Sequence, residues 1–269
     1  RVSVFFEDTA DSEVNSQMED KMQRTRLPQA LAGTIMGDLI AAGQRTLAKF
    51  GAEMTIHGDF TAFGEVDRGK AISFPGYWNE MTNADRGMTV LIHKDGETIG
   101  TYACALYLPA DTMAEYLDEI GLHRDCTAPD IEIYGTVREW FEAMEGPSAF
   151  SGGIWVRPDL RGTELSRFLV PFLPVIGRSF AVEVWDAKHV FFMVPEVIMR
   201  KGIAERYRPL FLEPGATWHY TSPPTPLWFG YAAPVQIIKD ALDFISKGPD
   251  VLVPTRKRQP AVHDVALAR

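Results

Sequence analysis

The chain has 269 residues, of which 46% are hydrophobic and 23% are charged, and its formal net charge is −9 at pH 7. These fractions are typical of a folded globular protein. They exclude a disordered chain, which would be more polar and more highly charged. The negative balance argues against a general nucleic-acid or anionic-membrane surface, because such surfaces need clustered Lys and Arg. A phosphate-bearing ligand would therefore need a local positive site.

The cysteines and the apolar runs bear on where the protein works. Cys104 and Cys126 are too few for a disulfide framework and lack the spacing of a metal finger, so a reducing, cytoplasmic compartment is the simpler expectation. The longest apolar run, residues 168–176, contains Pro171 and Pro174. We therefore expect no regular membrane-spanning helix.

The first part of the chain predicts a short strand and a helix. Residues 2–6 are apolar and predict a strand or arm, followed by a polar loop. Apolar residues recur at helical spacing over residues 29–50, and Gly51 stands where a helix would end. Residues 51–87 show no clean period and predict a strand or two with loops.

The strongest local signal is a β-hairpin. Residues 89–93 and 98–108 predict two strands joined at Asp95-Gly96, a dipeptide typical of tight hairpin turns. Helices are predicted next at residues 111–120 and 136–144.

The second half predicts alternating strands and helices. A strand is expected at residues 149–156, and a helical region follows at 164–185, which Pro171 and Pro174 must kink or split. The remaining predictions are a buried strand at 190–194, a helix from Pro195 to Tyr207, strands at 209–212, 218–221 and 227–232, a helix at 235–245, and a solvated tail from residue 248.

Between the strand at 149–156 and the helix that follows it lies a basic turn, residues 157–163. The N-terminus of a helix presents free backbone N–H groups and about half a positive charge. Arg157 and Arg161 add positive charge at the same place. The turn therefore predicts a pyrophosphate site in an otherwise acidic protein.

This segment resembles the GNAT superfamily of N-acyltransferases, whose signature is a central strand ending in Val-x-Pro, an Arg-Gly turn, and a helix whose first amides bind the pyrophosphate of acetyl-CoA. The matching residues are Val156, Pro158, Arg161 and Gly162. The order of predicted elements over about residues 89–232 is also that of the family. The resemblance implies an α/β (α+β) fold with a mixed central sheet flanked by helices, preceded by an N-terminal helical extension.

The resemblance also implies a division of the chain and a set of ligands. Residues 1–88 would form the extension and the first part of the acceptor side, 89–245 the acyltransferase core, and 246–269 a tail. The co-substrate would be acetyl-CoA or another acyl-CoA, with no metal, and the acceptor an amine of a small molecule, with no nucleic acid or membrane involved. A homodimer is one assembly that the sequence allows. The residues expected at the acyl-CoA are Ile154, Val156, Arg157, Arg161, Gly162, Thr163, Glu164 and Leu165.

Two departures from the family pattern bear on the chemistry. Glu164 replaces a glycine that lets the backbone approach the pyrophosphate, and it adds a negative charge there. Ile198 occupies the position of the frequent general-acid tyrosine and has no proton to donate. Acyl transfer to an amine needs a base and a proton donor for the leaving thiolate. The candidates for these roles are Tyr207, Glu132 and Glu142.

Three functions remain open on the sequence: an acyl-CoA-dependent N-acyltransferase, a GNAT-fold enzyme that uses an acyl-carrier protein or aminoacyl-tRNA, and a catalytically silent binding protein. Glu164 favours the second and Ile198 the third.

Other patterns are interpreted as structural. Residues 64–70 have P-loop spacing, but Ala71 stands where a Ser or Thr must bind magnesium. The six histidines show no paired ligand spacing. An aromatic cluster is interpreted as core, with an acceptor pocket as the alternative; its members are Phe60, Phe63, Phe74, Tyr77 and Trp78.

Overall fold

The computed structural model describes residues 3–5, 31, 33–64, 66, 84–122, 131–202, 204–219 and 223–252. Several predictions from the sequence lie outside these residues: the polar loop after the first strand, Cys126, the aromatic residues at 74, 77 and 78, most of the P-loop-like segment, and the predicted tail beyond residue 252. The start of that tail is not solvated as predicted, because residues 249–252 form a 3-10 turn whose Leu252 is buried in the core.

Within the described chain the strands form one nine-stranded mixed sheet in the order β1-β2-β3-β4-β6-β7-β9-β8-β5. The strands are β1 (Ser3–Phe5), β2 (Ala52–His57), β3 (Arg86–Lys94), β4 (Glu97–Tyr107), β5 (Ile131–Ile133), β6 (Ser148–Val156), β7 (His189–Pro195), β8 (Phe211–Trp218) and β9 (Thr225–Ala232). The pairs β1–β2 and β6–β7 are parallel, and all other neighbouring pairs are antiparallel.

Helices flank this sheet, so the predicted fold class is confirmed. They are α1 (Ile35–Ala48), α2 (Thr61–Gly64), α3 (Met113–Glu119), α4 (Gly135–Glu142), α5 (Glu164–Trp185), α6 (Glu196–Met199) and α7 (Pro234–Lys247), with 3-10 turns at Pro158–Leu160, Ala204–Tyr207 and Pro249–Leu252. The order of strands and helices on which the resemblance to the GNAT superfamily rests is present. The division at residues 88 and 245 remains a prediction, although β1 and β2 are hydrogen-bonded into the same sheet as the later strands.

The β3–β4 hairpin turns as the sequence predicts. Asp95 and Gly96 have φ values of 54° and 80°, the left-handed backbone that a tight two-residue hairpin turn requires. Lys94 pairs with Glu97 directly across the turn. The turn thus fixes which side chains of β4 face each side of the sheet.

Two cores lie on opposite faces of the sheet. Alternate residues of β4 separate cleanly, with Tyr102 and Cys104 in the core beneath α1, α5 and α7, and Ala103 and Ala105 in the core beneath α3 and α4. This is the period of two that a pleated strand imposes. Because both faces are covered, β4 and β6 are buried on both sides.

Helix α5 corrects one expectation about the prolines. It runs unbroken for 22 residues with Pro171 and Pro174 inside it, although each proline removes a backbone donor. Most of its side chains are buried against the sheet and its helical neighbours, and we attribute its continuity to that packing. By length and composition α5 could cross a membrane, but 78% of its apolar window is buried inside the protein.

The segment after β7 differs from the sequence prediction. Instead of one helix from Pro195 to Tyr207, a single turn, α6, is followed by a 3-10 turn. Gly202 has a φ of 62° between them, a conformation that ends a right-handed helix. This arrangement brings Tyr207 back over the sheet.

The strands after residue 208 also differ from prediction. In place of separate strands at 209–212 and 218–221, the described residues form one strand, β8, from Phe211 to Trp218; residues 220 and 221 lie outside the described residues. Pro214 pairs with Trp228 at a register shift against β9, and such an irregularity is one of the places where a sheet tolerates proline. Strand β5 itself was not predicted, since three residues carry too short a pattern.

Candidate functional site

The central feature of the sheet is a wedge between its two parallel inner strands. β6 and β7 pair over only three residues, Ser148 to Phe150 against His189 to Phe191. Beyond that point β6 remains paired with β4 alone, and β7 with β9 alone. The edges of β6 and β7 that face each other there are therefore unpaired by any described strand, and they present backbone donors and acceptors to whatever lies between them.

A β-bulge in β6 shapes one wall of the wedge. Gly153 and Ile154 together oppose the single residue Tyr102, because the pairing shifts between Thr101 and Ala103. Gly153 has a φ of 67°, which glycine adopts without strain, and its carbonyl oxygen accepts a hydrogen bond of 2.9 Å from the Thr101 hydroxyl. Such a bulge leaves one residue of the strand outside the regular ladder.

A cavity of about 250 Å³ fills the wedge. Residues 151–154 of β6 form one wall and 192–195 of β7 the other. The remaining lining residues are Tyr102, Arg178, Val197, Ile198, Tyr207 and Trp218. Tyr102 belongs to the core under α5, whereas Met193 and Trp218 belong to the core on the opposite face. The cavity therefore passes through the plane of the sheet.

Arg178 reaches into this cavity from the middle of α5. It is only 4% exposed. Its Nε–H donates to the Ser151 hydroxyl at 3.0 Å, and its Nη1 donates to the backbone carbonyl oxygen of Tyr207 at 2.6 Å. Its guanidinium carbon lies 4.7 Å from the centre of the Phe192 ring, a cation–π contact. A positive charge thus lines an otherwise mostly apolar space.

Tyr207 lies on the same side, at the end of the 3-10 turn. Its ring packs edge-on against Phe192, with ring centroids 5.5 Å apart. Burial raises the pKa of Tyr207 to about 12, with the charge of Arg178 acting in the opposite direction. The phenol is consequently protonated at neutral pH, and it lines the cavity.

Behind the wall lies a second group of buried polar atoms. The thiol of Cys104 contacts the Tyr102 hydroxyl at 3.7 Å. Burial raises the pKa of Cys104 to about 12 and that of Tyr102 well above its usual value. Both groups are therefore neutral, and the only charge in this part of the lining is that of Arg178.

The basic turn lies at the open end of the wedge, directly after β6. Gly162 has a φ of 83°. The Thr163 hydroxyl caps α5 by accepting from the Ser166 amide at 3.3 Å. Within the described chain the amides of Glu164 and Leu165 have no acceptor, and such first-turn amides are the groups that bind anions at a helix N-terminus.

The two arginines of the turn differ in whether their guanidinium groups are paired with carboxylates. Arg157 is held by Asp159 at 2.7 Å and by Glu97 at 2.5 Å. Arg161 is exposed, and its guanidinium has no partner among the residues that the structure describes. Glu164 is also exposed, in the first turn of α5, where its carboxylate is favoured by the helix dipole. Of these two arginines, Arg161 is thus the one available to an incoming phosphate.

The predicted carboxylates do not line the cavity. Glu132 on β5 is exposed and accepts from His219 Nε2 at 3.0 Å. The residue before His219 is Trp218, which lines the cavity, but neither Glu132 nor His219 is itself a lining residue. Glu142 is held by Arg138 on the same helix at 2.9 Å and is not a lining residue.

Some of the predicted site residues lie at the cavity, together with others that the sequence did not predict. Ile154 and Tyr207 line the cavity, and the turn residues lie at its mouth. Arg178 and Ser151 were missed. A signal for Arg178 was present, since it is the only charged residue between Arg167 and Glu183 in a strongly apolar stretch.

These features define an α/β protein with a GNAT-like fold and a through-sheet cavity between two diverging parallel strands. No family model and no curated protein matches the chain.

Several solved structures are similar at low sequence identity. NAA60 from Arabidopsis thaliana in complex with acetyl-CoA is 11% identical, with a TM-score of 0.34 over 67% of this chain and 99% of that one. A point mutant of KacT is 14% identical, with a TM-score of 0.34 over 71% of this chain and 98% of that one. A chimera of the spermidine N-acetyltransferase SpeG from Vibrio cholerae with hSSAT is 8% identical, with a TM-score of 0.29 over 58% and 70%. At these values the fold assignment rests on the strand order and pairing of the chain itself.

Proposed function

We propose that this protein is an N-acyltransferase that moves an acyl group from acyl-CoA to an amine of a small molecule. The observation that carries the proposal is the wedge between β6 and β7. It opens beside a helix N-terminus with free amides, and its cavity reaches both faces of the sheet. A thioester donor could enter from one face and an amine from the other.

For the donor, the turn offers a pyrophosphate site and the wedge offers a channel. The amides of Glu164 and Leu165, together with Arg161, would hold the pyrophosphate. The pantetheine arm carries two amide groups, and it would lie along the unpaired edge of β6 as an extra strand lies along an edge. Glu164 opposes the phosphate charge, so we expect weaker binding than a glycine would allow at that position.

Transfer requires one bond to form and another to break. The neutral amine attacks the thioester carbonyl carbon, its N–H proton leaves to a base, and the C–S bond breaks to release a thiolate. The phenol of Tyr207 is protonated at neutral pH and lines the cavity, so we assign it as the donor of the proton that the thiolate takes. The carboxylate of Glu132, paired with His219, is the proposed proton acceptor.

The donor site is tested by thermal denaturation with acetyl-CoA. We expect acetyl-CoA to raise the melting temperature of the wild type and Arg161→Glu to abolish that shift. Lys239→Glu makes the same charge change at an exposed position of α7 and should preserve the shift. No shift with any acyl-CoA, or an equal loss in both variants, would contradict the proposed site.

The acid is tested by Tyr207→Phe, which removes one hydroxyl and keeps the ring. We expect kcat to fall by about 100-fold or more, with the dissociation constant of acetyl-CoA unchanged. Tyr231→Phe serves as the control, because Tyr231 contacts His189 at 3.5 Å and does not line the cavity. A Tyr207→Phe enzyme with wild-type kcat would remove Tyr207 from the mechanism.

Glu164 favours a second candidate, in which the donor is an acyl-carrier protein or aminoacyl-tRNA. An exposed carboxylate in the first turn of α5 penalises a pyrophosphate there, whereas a macromolecular donor could be held at other surfaces. The comparison is between acetyl-CoA and an acetylated carrier protein, titrated into the wild type and Glu164→Gly. If Glu164→Gly tightens the binding of acetyl-CoA but not that of the carrier protein, and the wild type binds the carrier protein more tightly than acetyl-CoA, this candidate replaces the first.

A further inference from the structure

The cavity contains a buried positive charge that no carboxylate of the described chain neutralises. Arg178 has two hydrogen-bond partners, both uncharged: the Ser151 hydroxyl and the Tyr207 carbonyl oxygen. Its contact with the Phe192 ring adds no charge. Burying an ion without a counter-ion is costly, and buried charges in proteins are as a rule paired.

The nearest buried carboxylate is already engaged elsewhere. Asp240 is 5% exposed, and it accepts from Arg208 at 3.0 Å and from the Gln236 amide at 2.7 Å. Its field reaches Arg178, but no hydrogen bond joins them. A guanidinium has five N–H donors, and only two of those of Arg178 are used by the described residues, which leaves donors for a ligand.

The position of Arg178 along α5 indicates which part of a ligand it would meet. Arg178 follows Glu164 by fourteen residues, so it lies about 21 Å from the helix N-terminus at 1.5 Å per residue. It contacts Ser151, directly after the last β6 residue that pairs with β7. Arg178 therefore marks the closed end of the wedge, opposite the proposed pyrophosphate site at its mouth.

We propose that Arg178 forms a subsite for a ligand carboxylate at the closed end of the cavity, and that the acyl group of the donor carries that carboxylate, as a succinyl group does. This rests on the proposed acyltransferase function and adds the class of acyl group. A guanidinium binds a carboxylate through two parallel hydrogen bonds, and the low dielectric between Phe192 and Val194 strengthens them. The same chemistry could instead hold the carboxylate of the acceptor, entering through the face of Met193 and Trp218.

The first of two experiments tests the donor by comparing succinyl-CoA with butyryl-CoA, which has the same chain length without the carboxylate. Isothermal titration of the full chain should show that the wild type binds succinyl-CoA at least about tenfold more tightly than butyryl-CoA. Arg178→Met should lose that preference, and Arg178→Lys should keep part of it because it retains the charge. Arg200→Met, at the exposed residue directly after α6, is the control and should leave the preference intact.

The second experiment tests the acceptor by comparing leucine with 3-methylbutylamine, its decarboxylated counterpart, by kcat/KM with acetyl-CoA. A preference for the carboxylate-bearing ligand that Arg178→Met abolishes supports the subsite. The experiment in which this preference appears identifies whether the donor or the acceptor supplies the carboxylate. If acetyl-CoA binds and neither experiment shows a preference that depends on Arg178, the subsite is overturned while the acyltransferase proposal stands. If no acyl-CoA binds any of these variants or the wild type, the acyltransferase proposal itself fails.

Discussion

Gly177 on α5 lies against the ring of Tyr102, which forms a wall of the cavity. A Cβ atom at position 177 would lie 2.0 Å from Tyr102 Cε1 and 2.5 Å from Cδ1. Tyr102 is buried on β4 beneath α5, and the open space beside its ring is the cavity that it lines. We therefore expect Gly177→Ala to force a shift of the wall beside Arg178.

The expected cost follows from two opposing terms. Overpacking a well-filled core costs about 1–3 kcal/mol, and a contact this short favours the upper end. Alanine in place of glycine within a helix returns about 1 kcal/mol. The net loss of about 2 kcal/mol corresponds to a fall in melting temperature of about 4–8 °C.

Differential scanning calorimetry of Gly177→Ala checks this result, with Glu183→Ala as a control at an exposed position of the same helix. In a double-mutant cycle, the single variant Tyr102→Ala should be less stable than the wild type. In the Tyr102→Ala background, however, Gly177→Ala should cause no further loss, because the clashing ring is gone. A Gly177→Ala protein that melts at or above the wild-type temperature would refute the close packing of α5 on β4.

Three further results are expected. The Cys104 thiol should resist iodoacetamide at about pH 8 until guanidinium unfolds the protein, because burial raises its pKa to about 12; peptide mapping that finds rapid labelling would contradict its placement. Burial lowers the pKa of His93 below 6.5, so the unfolded chain binds the proton more readily and the melting temperature should fall between about pH 7 and pH 5. His93→Gln should reduce that fall, and His219→Gln, at an exposed position, should not. Because the pKa of Tyr207 is raised to about 12, kcat should show no loss from deprotonation of this phenol up to about pH 10; a basic limb below that pH that disappears in Tyr207→Phe would contradict the assignment.

The sequence predicted the elements with strong local chemistry. The Asp95-Gly96 turn requires positive φ at both residues and is found with it. The strand at 148–156, the basic turn and α5 follow in the predicted order because a short apolar segment, a polar turn and a long apolar stretch are each local signals.

What depends on tertiary contacts was not predictable. Pro171 and Pro174 do not divide α5 because the helix is buried, and Pro214 does not end β8 because it lies at a register shift in the pairing with β9. The cavity is the clearest case. It exists because β6 and β7 diverge after three paired residues, and nothing in either strand alone specifies where that pairing stops.

The candidate site was predicted at its mouth and missed at its closed end. Arg161 and Gly162 lie in the turn between β6 and α5, and their contact with an acyl-CoA stays a prediction. Arg157 is drawn away by two carboxylates, one of which, Glu97, is distant in the sequence. The relation between Arg178, Ser151 and Tyr207 joins three separate segments, so no spacing rule could have found it.

The most direct test of the account is a crystal structure of the protein with acetyl-CoA bound. We expect pyrophosphate density at the amides of Glu164 and Leu165, with the pantetheine arm between residues 151–154 and 192–195 and the acyl carbon near the Tyr207 hydroxyl. Acetyl-CoA bound at another surface, or a wedge that stays empty in the presence of saturating acetyl-CoA, would contradict it.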